Sequence, residues 1–231
     1  MAGLEQFLDR YLGPRRPEYG TPEEELRLVE MPAPLERFFR FAGRWPGQNP
    51  KGPYANRFCM QDKLCGFQVK EYASVLRLAG DQERLVFVDE NQAVWAATTE
   101  RTGDDPPVWI GGEEDRKVER PLSHFLVSFV LQELMFGSDA VAEAPRALER
   151  FGEAGMQIEP VWLNGEYAWA WRPSYYLVGE RFLLRRALEE NDGADWYGCN
   201  QTEGVDELRS LGLPTGVDEA PVQRKKWWSI F

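Results

Sequence analysis

The chain of 231 residues is long enough for one large domain or two small ones, and its 43% hydrophobic and 13% aromatic residues exclude a disordered composition. Its 27 basic and 38 acidic residues give a net charge of −11, a field that repels phosphate backbones and disfavours nucleic-acid binding. The same field favours a basic partner as well as simple solubility.

The N-terminal residues MAGLEQFLDRYLG have neither the basic segment nor the long apolar segment of a signal peptide. The longest apolar stretch, LSHFLVSFVLQELMF, is too short to span a bilayer and contains polar residues. We therefore expect a soluble, cytoplasmic protein that does not bind a membrane.

The first helix is predicted over residues 4–12, where apolar side chains recur at helical spacing until Gly13 and Pro14. Residues 14–31 are rich in Pro and Glu and are expected to run over the surface. A second helix begins near Pro34 and ends at Gly43, and residues 44–57, with three prolines and two glycines, form a long loop.

Strand-like segments begin at about Leu76. LRLAG, ERLVFVDE, AVWAATT and VWI predict antiparallel strands with tight connections, and the turn cluster RTGDDPP precedes the last of them. A further helix begins at Pro121 or Ser123. Its apolar residues lie on more than one side, so this helix is predicted to be buried from several directions.

The second half contains the same kinds of element. We predict a helix over 144–155, a hairpin over 160–171 with a type I′ turn at Asn164-Gly165, a strand over 194–200 and a closing helix over 205–212. Residues 175–188 fit a strand or a helix, since periodicity does not decide between them. The fold class is therefore α+β: mostly antiparallel β-sheet with helices packed on one side.

Few residues carry the signals of catalysis. The single histidine, His124, lies in an apolar helix, and the sequence contains no nucleophile or phosphate-binding motif. The odd set Cys59, Cys65 and Cys199 cannot supply the four good ligands of a zinc site. We predict no catalytic residue, no cofactor and no metal, and interpret the cysteines as reduced, partly buried thiols.

Two alternative sites remain open. Asp89 and Glu90, with Asp104 and Asp105, supply carboxylates for a metal ion or a hydrolase if they converge. Tyr167, Trp169 and Trp171 alternate along a predicted strand, so they form either the core face of a sheet or a platform on which a carbohydrate or other small ligand stacks.

Four motifs follow one another between residues 33 and 135. They are Pro34, Leu35, Phe38, Phe39, Ala42 and Gly43 in the second helix; Glu90, Asn91 and Gln92 after a strand, with Trp95 nearby; Pro106 to Trp109; and Leu122, Ser123, Phe125 and Leu126. Their order and spacing resemble the SUKH superfamily of bacterial immunity proteins, which includes regulators resembling the yeast cell-wall assembly regulator. Ala93 departs from the glycine that the family often has after Glu-Asn-Gln.

The resemblance implies a non-catalytic domain that binds and neutralises a cognate toxin, which is basic if it is a nuclease. It divides the chain into an N-terminal helix and surface segment (1–32), a SUKH-like core (33–137) and a C-terminal α+β extension (138–231). A regulatory or scaffold protein of the same fold is the alternative. The residues expected to face the partner are Asp89, Glu90, Asn91, Gln92, Trp95, Asp104, Asp105 and Trp109.

Overall fold

The computed structural model describes residues 1–43, 62–64, 77–78, 83–90, 95–111, 116–136, 138, 140–166, 172–186, 194–199 and 202–216. Two antiparallel β-sheets with helices around them make up these residues, which confirms the predicted α+β class. No helix among them is both long enough and apolar enough to cross a bilayer.

The described helices are α1 (Ala2–Leu12), α2 (Glu23–Leu26), α3 (Ala33–Ala42), α4 (Leu122–Phe136), α5 (Ala147–Glu153) and α6 (Thr202–Ser210), and a 3₁₀ turn covers Pro17–Tyr19. The strands are β1 (Asp62–Leu64), β2 (Arg77–Leu78), β3 (Arg84–Glu90), β4 (Ala96–Glu100), β5 (Pro107–Gly111), β6 (Arg116–Pro121), β7 (Ala140–Pro145), β8 (Ile158–Trp162), β9 (Ser174–Val178), β10 (Phe182–Arg186) and β11 (Ala194–Cys199).

The first sheet has the order β1-β3-β4-β5-β6, and β2 pairs with β3 beside β1. Burial alternates along β5: Val108 and Ile110 are buried, whereas Trp109 between them is half-buried. This alternation has the period of two expected of a strand with one face on the core. The face that carries Trp109, opposite to Val108 and Ile110, is called the outer face below.

The second sheet has the order β7-β11-β10-β9-β8 and is built entirely from the second half of the chain. The segment 175–188, which fitted a strand or a helix, contributes β9 and β10 and a hairpin between them. Gly179 and Glu180 both have positive φ (55° and 61°), and the Arg181 amide donates to the Val178 carbonyl. Three residues, 179–181, separate the paired Val178 and Phe182, and positive φ at both central residues of the turn 178–181 is characteristic of type I′.

The predicted type I′ turn at Asn164-Gly165 is wrong, and the second half of the predicted hairpin, 167–171, lies outside the described residues. Asn164 has a φ of 52°, but Gly165 is not among the described residues with positive φ, which a type I′ turn requires. The partner of β8 is β9, which begins at Ser174, and the Gly165 amide donates to the Pro173 carbonyl. Glycine is needed at 165 because a Cβ atom would lie 2.6 Å from the Ser128 hydroxyl oxygen.

Helix α4 contacts both sheets, through β5 and β6 of the first and β10 and β11 of the second. Twelve of its fifteen residues are apolar or serine, and residues 125–135 are all buried. The prediction that this helix is buried on more than one side is confirmed. A helix with an apolar surface all round has to be covered from several directions.

The buried side chains form two clusters. The larger cluster contains side chains of α1, α3, α4 and the first sheet together with Tyr175, Leu177 and Leu183 of the second sheet. The smaller one lies among β7, α5, β10, β11 and α6. Because the larger cluster contains residues from both sides of the predicted boundary at 137, the C-terminal extension shares a core with the preceding segment.

The segment 14–31, predicted to run over the surface, is partly in the core. Tyr19 and Leu26 are only 3% and 4% exposed, since the 3₁₀ turn and α2 direct these side chains inward. The long loop at 44–57, Cys59, Cys65 and the basic C-terminal tail lie outside the described residues.

Candidate functional site

The predicted partner-facing residues near β3 and β4 have different environments. Asp89 is half-buried and pairs in register with Ala96, which places it on the outer face. Trp95 is only 7% exposed and belongs to the larger core cluster, so most of its ring is inaccessible to a partner. The backbone of Glu90 pairs with that of Asp62, whereas Asn91 and Gln92 lie outside the described residues.

Trp109 lies on the outer face, where Thr98 and Lys117 are its neighbours in register. The Arg84 guanidinium carbon lies 5.3 Å, and the Lys117 ammonium nitrogen 5.7 Å, from its ring centroid. Both separations are within the range of a cation–π interaction. The half-buried ring is therefore in contact with two cations, which the sequence did not reveal because the three residues belong to three different strands.

Asp104 and Asp105 lie in the turn between β4 and β5 and are both exposed. The Asp105 carboxylate accepts hydrogen bonds from the Ser123 amide (2.8 Å) and the Ser123 hydroxyl (2.6 Å). It therefore satisfies a free N–H in the first turn of α4 and places a negative charge at the positive end of that helix.

The Asp89 carboxylate does not come together with those of Asp104 and Asp105, and the Glu90 side chain lies outside the described part of the structure. Asp89 is opposite Ala96, the first residue of β4, whereas Asp104 and Asp105 follow the last one. Five strand residues span about 13 Å, which is too far for carboxylates to share one metal ion or one water molecule. Among the described residues, no group of three or more His, Cys, Asp or Glu side chains is arranged to hold a metal ion.

The turn of Asp104 and Asp105 is joined instead to the connection between α2 and α3. The Arg101 guanidinium donates to Glu30 (2.8 Å), and the Ala33 amide donates to the Gly103 carbonyl (3.2 Å). The segments 23–30 and 101–105 are called the acidic surface below. They contain six carboxylates and two guanidinium groups.

Leu28 is the most exposed large apolar side chain among the described residues, at 79%. It follows α2 within the acidic surface. An isolated exposed leucine is common on protein surfaces, so its significance depends on the charges around it. Here it lies in the segment that also carries Glu24, Glu25 and Glu30.

A second group of polar side chains, which the sequence analysis missed, joins α4 to the second sheet. The Ser128 hydroxyl accepts hydrogen bonds from the Trp162 indole N–H (3.2 Å) and the Glu166 amide (3.1 Å). It donates to the His124 carbonyl (3.3 Å), and the Tyr175 hydroxyl donates to Gln132 (3.0 Å) one helical turn away. These contacts are called the junction below.

Glu166 fixes the chain after β8 to the edge of the first sheet. The residue is 6% exposed, and its carboxylate accepts hydrogen bonds from two successive backbone amides of β6, those of Glu119 (2.9 Å) and Arg120 (2.8 Å). A buried carboxylate is tolerated when charge-assisted hydrogen bonds replace its hydration. The sequence offers no signal for this role, because a glutamate after Asn-Gly is typical of an exposed turn.

His124 is half-buried beside the junction, and its ring centroid lies 4.8 Å from that of Trp162. Partial burial lowers its pKa below the ordinary 6.5, the positive charge of Arg120 lowers it further, and Glu166 and Asp105 oppose the shift. Ser128 bonds the backbone carbonyl of His124 and not its imidazole, so the two do not form a nucleophile–base pair. Tyr167, Trp169 and Trp171 lie outside the described residues.

Comparison of the chain with protein-family models, with curated protein sequences and with solved structures finds no match in any of the three.

Proposed function

We propose that this protein is an immunity protein that binds and neutralises a basic toxin domain through the acidic surface. The acidic surface carries the proposal, because it brings Asp104 and Asp105, two of the residues expected to face a partner, together with Leu28 and the glutamates of the segment 23–30. The resemblance of residues 33–135 to the SUKH superfamily supports the same function.

The charge of this surface suits the partner class. Like-signed carboxylates on a molecule with a net charge of −11 attract a basic protein and raise its association rate, an effect that salt screens. Leu28 supplies an apolar contact that becomes buried on binding, and exposed charges alone provide little affinity.

The backbone of the acidic surface is fixed by contacts within the protein itself. Three contacts hold the turn 101–105 in place. The Gly103 carbonyl accepts a hydrogen bond from α3, and Arg101 forms an ion pair with Glu30, which precedes α3. The Asp105 carboxylate accepts a hydrogen bond from α4. A surface with a defined shape loses less conformational entropy when it binds.

The test begins with capture of the partner from native cells, followed by measurement of its association rate and affinity with the purified full-length chain. We expect Glu24→Lys and Asp104→Lys to lower the association rate by about tenfold at low ionic strength and by less at high salt. Leu28→Ala is expected to raise the dissociation rate instead. Asp104 is chosen over Asp105 because Asp105 also binds α4.

Glu153→Lys is the matched control, because Glu153 is exposed on α5 outside the acidic surface and its reversal changes the net charge equally. If Glu153→Lys slows association as much as Glu24→Lys, net charge and not the acidic surface attracts the partner.

Expression of the captured partner in a host cell then distinguishes an immunity protein from a regulator or scaffold. Growth arrest that this chain relieves establishes immunity, whereas a harmless partner indicates a regulator or scaffold.

A further inference from the structure

The junction contains a titratable group whose neutral form the structure favours. His124 lies in the first turn of α4, and its imidazole packs against the ring of Trp162 in β8. The Nδ1 atom of the imidazole is buried without a hydrogen-bond partner. Trp162 is in turn held by its indole N–H to the Ser128 hydroxyl. The ring of His124 thus packs directly on one of the side chains that attach the second sheet to α4.

We propose that protonation of His124 loosens the contact between α4 and β8, which makes the attachment of the second sheet sensitive to mild acid. A charged imidazole carries an N–H at both ring nitrogens, and the buried Nδ1 has no acceptor. The indole ring attracts a cation, but a buried N–H without an acceptor is more costly than that attraction.

The charges around His124 come from three neighbouring elements. Arg120 of β6 opposes protonation, whereas Glu166 after β8 and Asp105 of the β4–β5 turn favour it. Both carboxylates already accept two hydrogen bonds each from other groups, Glu166 from β6 and Asp105 from Ser123. These contacts direct both carboxylates toward backbone and hydroxyl donors of the fold, and neither is a hydrogen-bond partner of the buried Nδ1.

The pH range follows from the direction of the pKa shift. In the unfolded chain His124 titrates near 6.5, and in the folded protein it titrates at lower pH. The contribution of neutral His124 to stability is therefore complete above pH 6.5 and is lost as the pH falls from 6.5 to the folded pKa.

His124 is the only histidine in the chain, so its imidazole proton resonances can be followed in the full-length protein without assignment. We expect a titration midpoint below 6.5. The second measurement is hydrogen exchange of the Glu166 amide, which donates to Ser128, at about pH 7.5 and about pH 5.5. Its protection relative to an unstructured peptide is expected to fall several-fold in acid.

The matched variant is His124→Phe, which keeps a ring against Trp162 and cannot titrate. We expect its Glu166 amide protection to be the same at both pH values. A midpoint at or above 6.5, or equal loss of protection in the wild type and in His124→Phe, overturns the proposal. If His124→Phe does not fold, the imidazole titration and the wild-type exchange rates decide the question by themselves.

Discussion

Glu180 occupies a backbone conformation that does not suit its side chain. Its φ of 61° lies in the left-handed region, where the Cβ atom of any residue except glycine crowds the following carbonyl oxygen at a cost of about 1–2 kcal/mol. The turn between β9 and β10 imposes this φ, because Glu180 is the second central residue of the turn 178–181, whose two central residues both have positive φ as in a type I′ turn.

Replacing Glu180 by glycine is expected to raise the free energy of unfolding by about 0.5–1 kcal/mol. Relief of the left-handed strain exceeds the extra entropy that glycine gives the unfolded chain. Denaturant unfolding of the two proteins measures the difference. Glu153→Gly is the control, because Glu153 is helical, and it should lower stability instead. If both substitutions change the free energy of unfolding in the same direction, backbone strain at position 180 does not explain the effect of Glu180→Gly.

At the scale of elements, the start of α4 depends on the turn between β4 and β5. The Leu122 amide donates to the Pro106 carbonyl (2.9 Å), and the Ser123 amide donates to the Asp105 carboxylate. Two of the four N–H groups that a helix leaves free at its start are therefore satisfied by one turn. This arrangement fixes the start of α4 against the first sheet, next to the last residue of the acidic surface.

Asp105→Ala is expected to lower the free energy of unfolding by about 1–2 kcal/mol, as loss of a helix-capping carboxylate does. Asp104→Ala, one residue away and also exposed, should change it by less than about 0.5 kcal/mol. Thermal and denaturant unfolding of both variants provide the comparison. Similar losses for both would mean that the capping contact contributes little to the stability of α4.

At the scale of the whole molecule, α1 connects parts of the chain that are far apart in sequence. Leu4, Phe7, Leu8 and Leu12 are buried in the larger core cluster. Two ion pairs also link this helix to the rest, Glu5 with Arg37 of α3 and Arg10 with Glu159 of β8. The apolar face is the larger contribution, since half-exposed ion pairs are screened by water.

Leu8→Ala is therefore expected to cost about 2–5 kcal/mol, because Leu8 is fully buried and its removal leaves a cavity. Arg10→Gln should cost less than about 1 kcal/mol, although it removes a bidentate contact with Glu159. Urea denaturation followed by circular dichroism measures both. A larger loss for Arg10→Gln would mean that the ion pair, and not the apolar face, holds α1 in place.

Local periodicity was sufficient to predict α1, α3, α4, most strands of the first sheet and the α+β class, because it reports which face of a segment is apolar. It does not report which distant segment covers that face. The division into two sheets, the pairing of β8 with β9 and the burial of Trp95 and Glu166 were decided only by tertiary packing.

Among the residues expected to face a partner, Asp104 and Asp105 are exposed, as their turn-forming neighbours predict. Trp95 is covered instead, because its ring packs in the larger core cluster. Hydrogen bonds between residues tens of positions apart, such as Glu166 with β6, depend on that packing and leave no pattern in the chain itself.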